Sequence, residues 1–164
     1  MAVALDVAEA GMAAGELPIG AVVVMGDDVV GSACTRDRGL DRRTAHADLL
    51  AMVEADERLG WRSRPAPLTL AVTLEPCVMC LGTAMVLGVS HVHYGLASPG
   101  DGGSGVAAAW RPHPTTPWFA APAMTGGVCE DRVRDQFRRY VATAEESGAV
   151  AWARSLIQHR SRTR

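Results

Sequence analysis

The stretch from Leu68 to Ala97 constrains the fold more than any other part of the chain. Leu68–Leu74 is an aliphatic, partly β-branched run of strand length, and Val89–Ala97 is a second one. Between them Pro76 suits the first turn of a helix, where a missing N–H is no loss, and helix-compatible residues continue to about Leu87. Strand, helix and strand in that order predict a βαβ unit with its two strands parallel in one sheet.

The flanking segments add elements around this unit. Residues 1–14 favour a helix that Gly15 and Pro18 stop. Ile19–Met25 and Val29–Thr35, joined at Gly26-Asp27-Asp28, predict a β-hairpin. Arg36–Arg43 is charged and reads as loop. Thr44 is a candidate N-cap for a helix that carries Leu49, Leu50, Met52 and Val53 at helical spacing and ends at Gly60. Ser98–Gly105 is rich in glycine, and Pro112, Pro114, Pro117 and Pro122 punctuate the segment after it, so no long regular element is expected there. Arg132–Ala144 and Ala149–His159 read as two closing helices. The expected organisation is one domain over 1–164, with 98–125 a variable Gly/Pro-rich segment.

Composition removes several classes. The 164 residues are 48% hydrophobic and 21% charged, as in an ordinary globular chain. Apolar runs stop at about ten residues, against the roughly 20 a membrane helix needs, so no membrane span is expected. The N-terminal stretch carries Asp6 and Glu9 and no basic residue, which does not match a secretory leader. A cytoplasmic location is the expectation. Net charge is −2, and every basic residue is Arg. That balance does not favour a nucleic-acid partner, although Arg154, Arg160, Arg162 and Arg164 form a basic tail that leaves one open.

Four cysteines occur, Cys34, Cys77, Cys80 and Cys129. Cys34 reads as a strand residue and Cys129 as a helix start. Cys77-Val78-Met79-Cys80 puts two sulfurs one helical turn apart, where they can share a metal ion or act as a redox pair. His46, at the start of the preceding helix, is a candidate third ligand. Two thiolates and an imidazole suit Zn²⁺, and three protein ligands leave a fourth position for water, which bound zinc turns into a hydroxide nucleophile near neutral pH. Asp48, two residues after His46, is a candidate proton carrier. In the Pro-rich segment His113, Trp118 and Phe119 are candidates to stack on a planar ring, with core packing or a dimer contact as the plainer reading.

Leu17-Pro18-Ile19-Gly20-Ala21-Val22-Val23-Val24, Thr44-Ala45-His46-Ala47-Asp48 and Thr73-Leu74-Glu75-Pro76-Cys77-Val78-Met79-Cys80 together resemble the zinc-dependent cytidine deaminase superfamily. Within it the chain is most similar to the branch of tRNA adenosine deaminases and guanine deaminases, whose signature is H-x-E…P-C-x-x-C. The resemblance implies an α/β fold, a three-layer α/β/α sandwich around a mixed five-stranded sheet, with the fifth strand drawn from 106–125. It implies that His46, Cys77 and Cys80 hold Zn²⁺ and that Asp48 takes the place of the family's glutamate. Thr35, Ala47 and Glu75 fall at substrate-contact positions, Thr35 where much of the branch has asparagine, and Glu75 reads equally well as a structural residue. The implied activity is hydrolytic deamination of a small aminated heterocycle, zinc hydroxide attacking the amine-bearing carbon, in a homodimer. A tRNA adenosine deaminase and a zinc-binding protein without deaminase activity are the alternatives. Asp48 bears on that choice, because aspartate is one methylene shorter, about 1.5 Å of reach. It fits an enzyme that compensates, a protein that has lost or changed the reaction, or an introduced change.

Overall fold

Successive side chains of a strand point to opposite faces, so the alternation of the central strands decides what packs where. The computed structural model describes residues 1–159. The chain runs α1 (Ala2–Ala13), β1 (Gly20–Met25), β2 (Asp28–Cys34), α2 (Ala47–Leu59), β3 (Leu68–Leu74), α3 (Val78–Leu87), β4 (Val89–Leu96), α4 (Ser104–Ala109), β5 (Ala123–Thr125), α5 (Glu130–Thr143) and α6 (Gly148–Gln158). The strands form one sheet in the order β2-β1-β3-β4-β5. β1 pairs antiparallel with β2 and β3, while β3, β4 and β5 run parallel.

Ala21 and Val23 of β1, Leu70 and Val72 of β3 and Val92 of β4 pack with Ala47, Ala51 and Met52 of α2 and Cys80 and Ala84 of α3. The alternate residues Val22 and Ala71 meet Ala4 of α1. Leu74 and Leu96 pack with Val133 and Phe137 of α5 and Val150, Ala153 and Leu156 of α6. Helices cover both faces, giving the three-layer α/β/α sandwich around a mixed sheet that the resemblance implied. Two glycines make the layers close. A Cβ on Gly20 would lie 2.3 Å from the Ala4 carbonyl oxygen, and one on Gly31 would lie 2.1 Å from that of Ala51. Consequently α1 rests directly on β1, and α2 on β2.

The hairpin and the βαβ unit stand where the residue pattern put them. Gly88, at φ 71° and ψ 35°, caps α3 in the left-handed region and turns the chain straight into β4. Both helix starts near the motifs are later than expected. Thr44 does not cap α2, because Arg36 N–H donates to the Ala45 carbonyl and Ala45 N–H to that of Arg42, which ties this segment to the loop leaving β2. The cap is His46, in extended conformation. Likewise Pro76 does not open α3. Its carbonyl accepts the Gly103 N–H, Cys77 bridges to Gly102, and the cap is Cys77.

The fifth strand, Ala123–Thr125, lies within the expected range and pairs with His91–His93. The Ala-rich six-residue α4 was not expected. Arg154 is paired with Glu146, and Arg160, Arg162 and Arg164 lie outside the described residues. Among the described residues no helix is long and apolar enough to cross a membrane.

Candidate active site

His46 and Cys77 occupy the N-cap positions of α2 and α3, and neither side chain caps its helix. Both are free to turn toward a common point, and Cys80 joins them from the first turn of α3. Cys77 Sγ lies 3.6 Å from His46 Nδ1 and 3.7 Å from Cys80 Sγ, and Cys80 Sγ lies 3.7 Å from the same nitrogen. A tetrahedral zinc site, with Zn–S about 2.3 Å and Zn–N about 2.05 Å, sets its sulfurs about 3.8 Å apart and each sulfur about 3.6 Å from the nitrogen. The three donors therefore trace one face of such a tetrahedron and leave its fourth corner to a non-protein ligand. An imidazole equidistant from both sulfurs separates this arrangement from a two-cysteine redox pair. Among the described residues, Cys34 and Cys129 stand outside the group.

The ionisable groups influence one another strongly. The Cys80 thiol hydrogen-bonded to Cys77, with His46 next, pulls the Cys77 thiol down to about 4. Cys80 moves upward, first because Cys77 takes its hydrogen bond and then through burial. Its contact with Cys77 raises His46 above the ordinary imidazole value against the opposing effect of burial. Asp48, in the first turn of α2 and only 4% exposed, is pushed above the usual carboxylate range by burial. Its Oδ1 accepts the Leu49 N–H at 3.1 Å.

A cavity of about 280 Å³ opens beside the trio, lined by His46, Cys77, Asp48, Thr35, Ala47 and Glu75 together with Leu17, Ile19, Asp37, Val72, Leu74, Asp101 and Trp152. His46, Cys77, Asp48, Thr35, Ala47 and Glu75 thus border one space, with Cys80 buried behind Cys77. Two of them are already committed elsewhere. The Thr35 hydroxyl donates to the Ala45 carbonyl at 3.2 Å and steadies the residue before His46, while its oxygen can still accept a bond. The Glu75 carboxylate accepts the N–H groups of Ser98 and Ser104, both at 2.9 Å, and holds the 98–104 loop beside Cys77. That pairing makes Glu75 a positioning residue.

Trp118 and Phe119 are placed elsewhere. Trp118 is 70% exposed and lines a separate groove with Trp61 and Val86, and Phe119 packs edge-on against Trp110. The short β5 and its Pro-rich approach carry them away from His46, Cys77 and Cys80. Asp37, Asp101 and Trp152 are the wall residues that reading by motif missed. Asp37 and Asp101 sit in loops without a recognisable pattern, and Trp152 lies more than a hundred residues from His46, so only packing of α6 brings it there.

The family model for the cytidine and deoxycytidylate deaminase zinc-binding region matches residues 1–96. A tRNA-specific adenosine deaminase of Agrobacterium fabrum is 32% identical over 125 residues, covering 76% of this chain and 80% of that protein. A tRNA(Ile)-lysidine synthase of Deinococcus deserti is 39% identical over 130 residues, which are 78% of this chain and 24% of the synthase. The chain therefore spans about a quarter of that relative's length. A solved structure from studies of A-to-I editing by tRNA:A34 deaminases at the wobble position of transfer RNA is 32% identical, with a TM-score of 0.71, covering 83% of this chain and 96% of that one. On matched region, a relative covered over 80% of its length and a shared fold alike, the chain belongs to the cytidine and deoxycytidylate deaminase zinc-binding family.

Proposed function

We propose that the protein is a zinc-dependent hydrolytic deaminase of a small aminated heterocycle without phosphate, a nucleobase, nucleoside or related metabolite. The wall of the cavity carries the proposal. It contains four acidic residues, Asp37, Asp48, Asp101 and Glu75, and among the described residues no arginine. Phosphate-bearing substrates are held by Arg, Lys or open amides, and this wall repels them. The volume, about 280 Å³ and just below the roughly 300–1,000 Å³ of small-molecule pockets, suits a compact ligand.

His46, Cys77 and Cys80 would hold the zinc, which when bound supplies the Lewis acidity that makes water nucleophilic near neutral pH. Asp48 moves the protons. Burial raises its carboxyl above the usual carboxylate range, the direction general acid–base catalysis needs. It takes a proton from the attacking water and delivers it to a ring nitrogen, then assists the amine to leave as ammonia, so that C–N is exchanged for C–O with water consumed. Thr35 and Glu75 act behind this step by fixing the backbone on either side of the ligands.

Similarity to the tRNA deaminases supports a second reading, in which the substrate is an adenosine of tRNA. Ammonia release by zinc-loaded protein over purines, pyrimidines, triazines, pterins and their nucleosides, beside inosine formation in intact tRNA at low salt, decides between them. Turnover confined to free heterocycles supports the proposal, and turnover confined to tRNA replaces it. Stoichiometric zinc without turnover of either returns the protein to a non-catalytic role. The expected homodimer is supported by the exposed apolar side chains Val53, Val78, Met79 and Val86 of α2 and α3, and sedimentation tests it.

A further inference from the structure

Arg134 of α5 is only 7% exposed and has no part in the steps above. Its guanidinium meets the end of α6. Nη1 donates to the Leu156 carbonyl at 3.3 Å, to the His159 carbonyl at 3.1 Å and to that of Ile157, while Nη2 pairs with the Glu130 carboxylate one turn earlier on α5. A helix leaves its last carbonyls without partners of its own, and a cation there also meets the negative end of the helix dipole. α6 has no basic residue in its last turn. Arg134 therefore caps it from the neighbouring helix.

The other end of α6 is held more lightly. Ser147, its N-cap, accepts the Val150 N–H and an N–H of the Arg38 guanidinium, each at 3.4 Å, and the Arg154–Glu146 pair lies in solvent, where such contacts contribute little. Between the two ends Val150, Ala153 and Leu156 pack with Val133 and Phe137 of α5, and the half-buried Trp152 lines the cavity with His46, Cys77 and Asp48. The seat of α6 on α5 thus decides where that wall of the cavity stands. His46, Asp48, Cys77 and Cys80 belong to α2 and α3 or their caps, and those helices pack in a separate hydrophobic cluster.

We propose that Arg134 is a positioning residue for the reaction: by capping the C-terminal end of α6 it holds Trp152 in the cavity wall and so sets how tightly substrate is bound. It touches neither substrate nor the reacting atoms and acts through Trp152 alone. Its loss weakens binding and spares the chemical step, because α2 and α3 keep their places. This inference rests on the deaminase reading and deepens it.

Fluorescence of zinc-loaded protein carrying Trp61→Phe, Trp110→Phe and Trp118→Phe, in which Trp152 is the one indole left, tests the positioning directly. The three replaced side chains line no part of the cavity. Adding Arg134→Gln should shift the emission to the red and raise its quenching by acrylamide, while zinc content and the hydrogen-exchange protection of α2 and α3 stay unchanged. Arg134→Lys, whose ammonium cannot span all three carbonyls, should fall between the two, and it decides the matter if Arg134→Gln does not fold. In the otherwise unaltered chain, ammonia release from the fastest-reacting member of the heterocycle panel should show KM raised at least about tenfold by Arg134→Gln with kcat within about threefold, the pattern of lost uniform binding. Trp152→Ala should raise KM alike, and the double variant no further, since both changes remove one contact. Unchanged Trp152 emission, a fall confined to kcat, or KM increases that multiply in the double variant would overturn the assignment. A displaced Trp152 without ammonia from any substrate would refute the deaminase reading and leave the positioning role standing. Ammonia release with Trp152 unmoved would do the reverse.

Discussion

Replacing Gly31 by alanine places a methyl group where α2 crosses β2. The new Cβ would sit 2.1 Å from the Ala51 carbonyl oxygen, 2.8 Å from the Ala55 nitrogen and 3.1 Å from the Ala55 Cβ. An ordinary carbon–oxygen contact needs about 3.3 Å, so the helix must retreat by about 1 Å, and the opposing atoms are helix backbone that cannot rotate away. Overpacking of this kind costs about 1–3 kcal/mol. The same helix carries Asp48 in its first turn and His46 at its cap. Displacement by about 1 Å should lower kcat/KM by about 10²-fold. Gly82→Ala is the matched control, because no heavy atom lies within 4 Å of its Cβ position in α3, and it should stabilise by up to about 1 kcal/mol. Urea denaturation gives the stabilities, emission spectroscopy the zinc content and ammonia release the rate. A Gly31→Ala protein with wild-type midpoint, zinc and turnover would refute the claim that α2 is seated by that glycine.

Cys80→Ser should abolish stoichiometric zinc binding, and with it any rise in melting temperature that zinc produces in the wild type; retention of zinc at equal affinity would count against the three-donor site. Asp48→Asn should keep the metal and lower kcat by at least about 10²-fold, as loss of a general acid–base does, which single-turnover ammonia assays can read. Glu75→Ala should leave the Ser98 and Ser104 amides without their acceptor and destabilise by about 1–3 kcal/mol, with faster hydrogen exchange confined to the 98–104 loop. Glu9, which Arg139 and then Gln136 hold down to about 2 from an ordinary 4.5, stabilises the contact of α1 with α5 above pH 4.5 and loses that contribution as pH falls toward 2. Both partners are about half exposed, so screening limits the pair to about 0.2–1 kcal/mol, and the difference in stability between wild type and Glu9→Gln should disappear by about pH 2.

The convergence of His46, Cys77 and Cys80 was legible because part of their spacing is local. Cys77 and Cys80 are one turn apart, Asp48 is two residues from His46, and strands of continuous Val, Leu and Ala residues announce the buried sheet. The exact helix starts were not, since tertiary hydrogen bonds to Ala45 and Pro76 overrode the local capping signals. Trp118 and Phe119 show the same limit from the other side. Their composition fits a ring-stacking role, yet whether an aromatic faces a pocket depends on how a Pro-rich connection leaves the sheet. Trp152 reaches the cavity through packing of α6 on α5, a contact between distant segments that no periodicity encodes.

The two helix caps that carry His46 and Cys77 belong to the region matched by the family model, whereas Asp101 and Trp152 come from chain beyond residue 96. The cavity wall is therefore shared between the matched stretch, which supplies Thr35, Asp37, Ala47 and Glu75, and the chain beyond it. Substitutions in the later stretch can reshape that wall without touching His46, Cys77 or Cys80. A graft of residues 98–109 and 147–159 onto a relative is the corresponding engineering route.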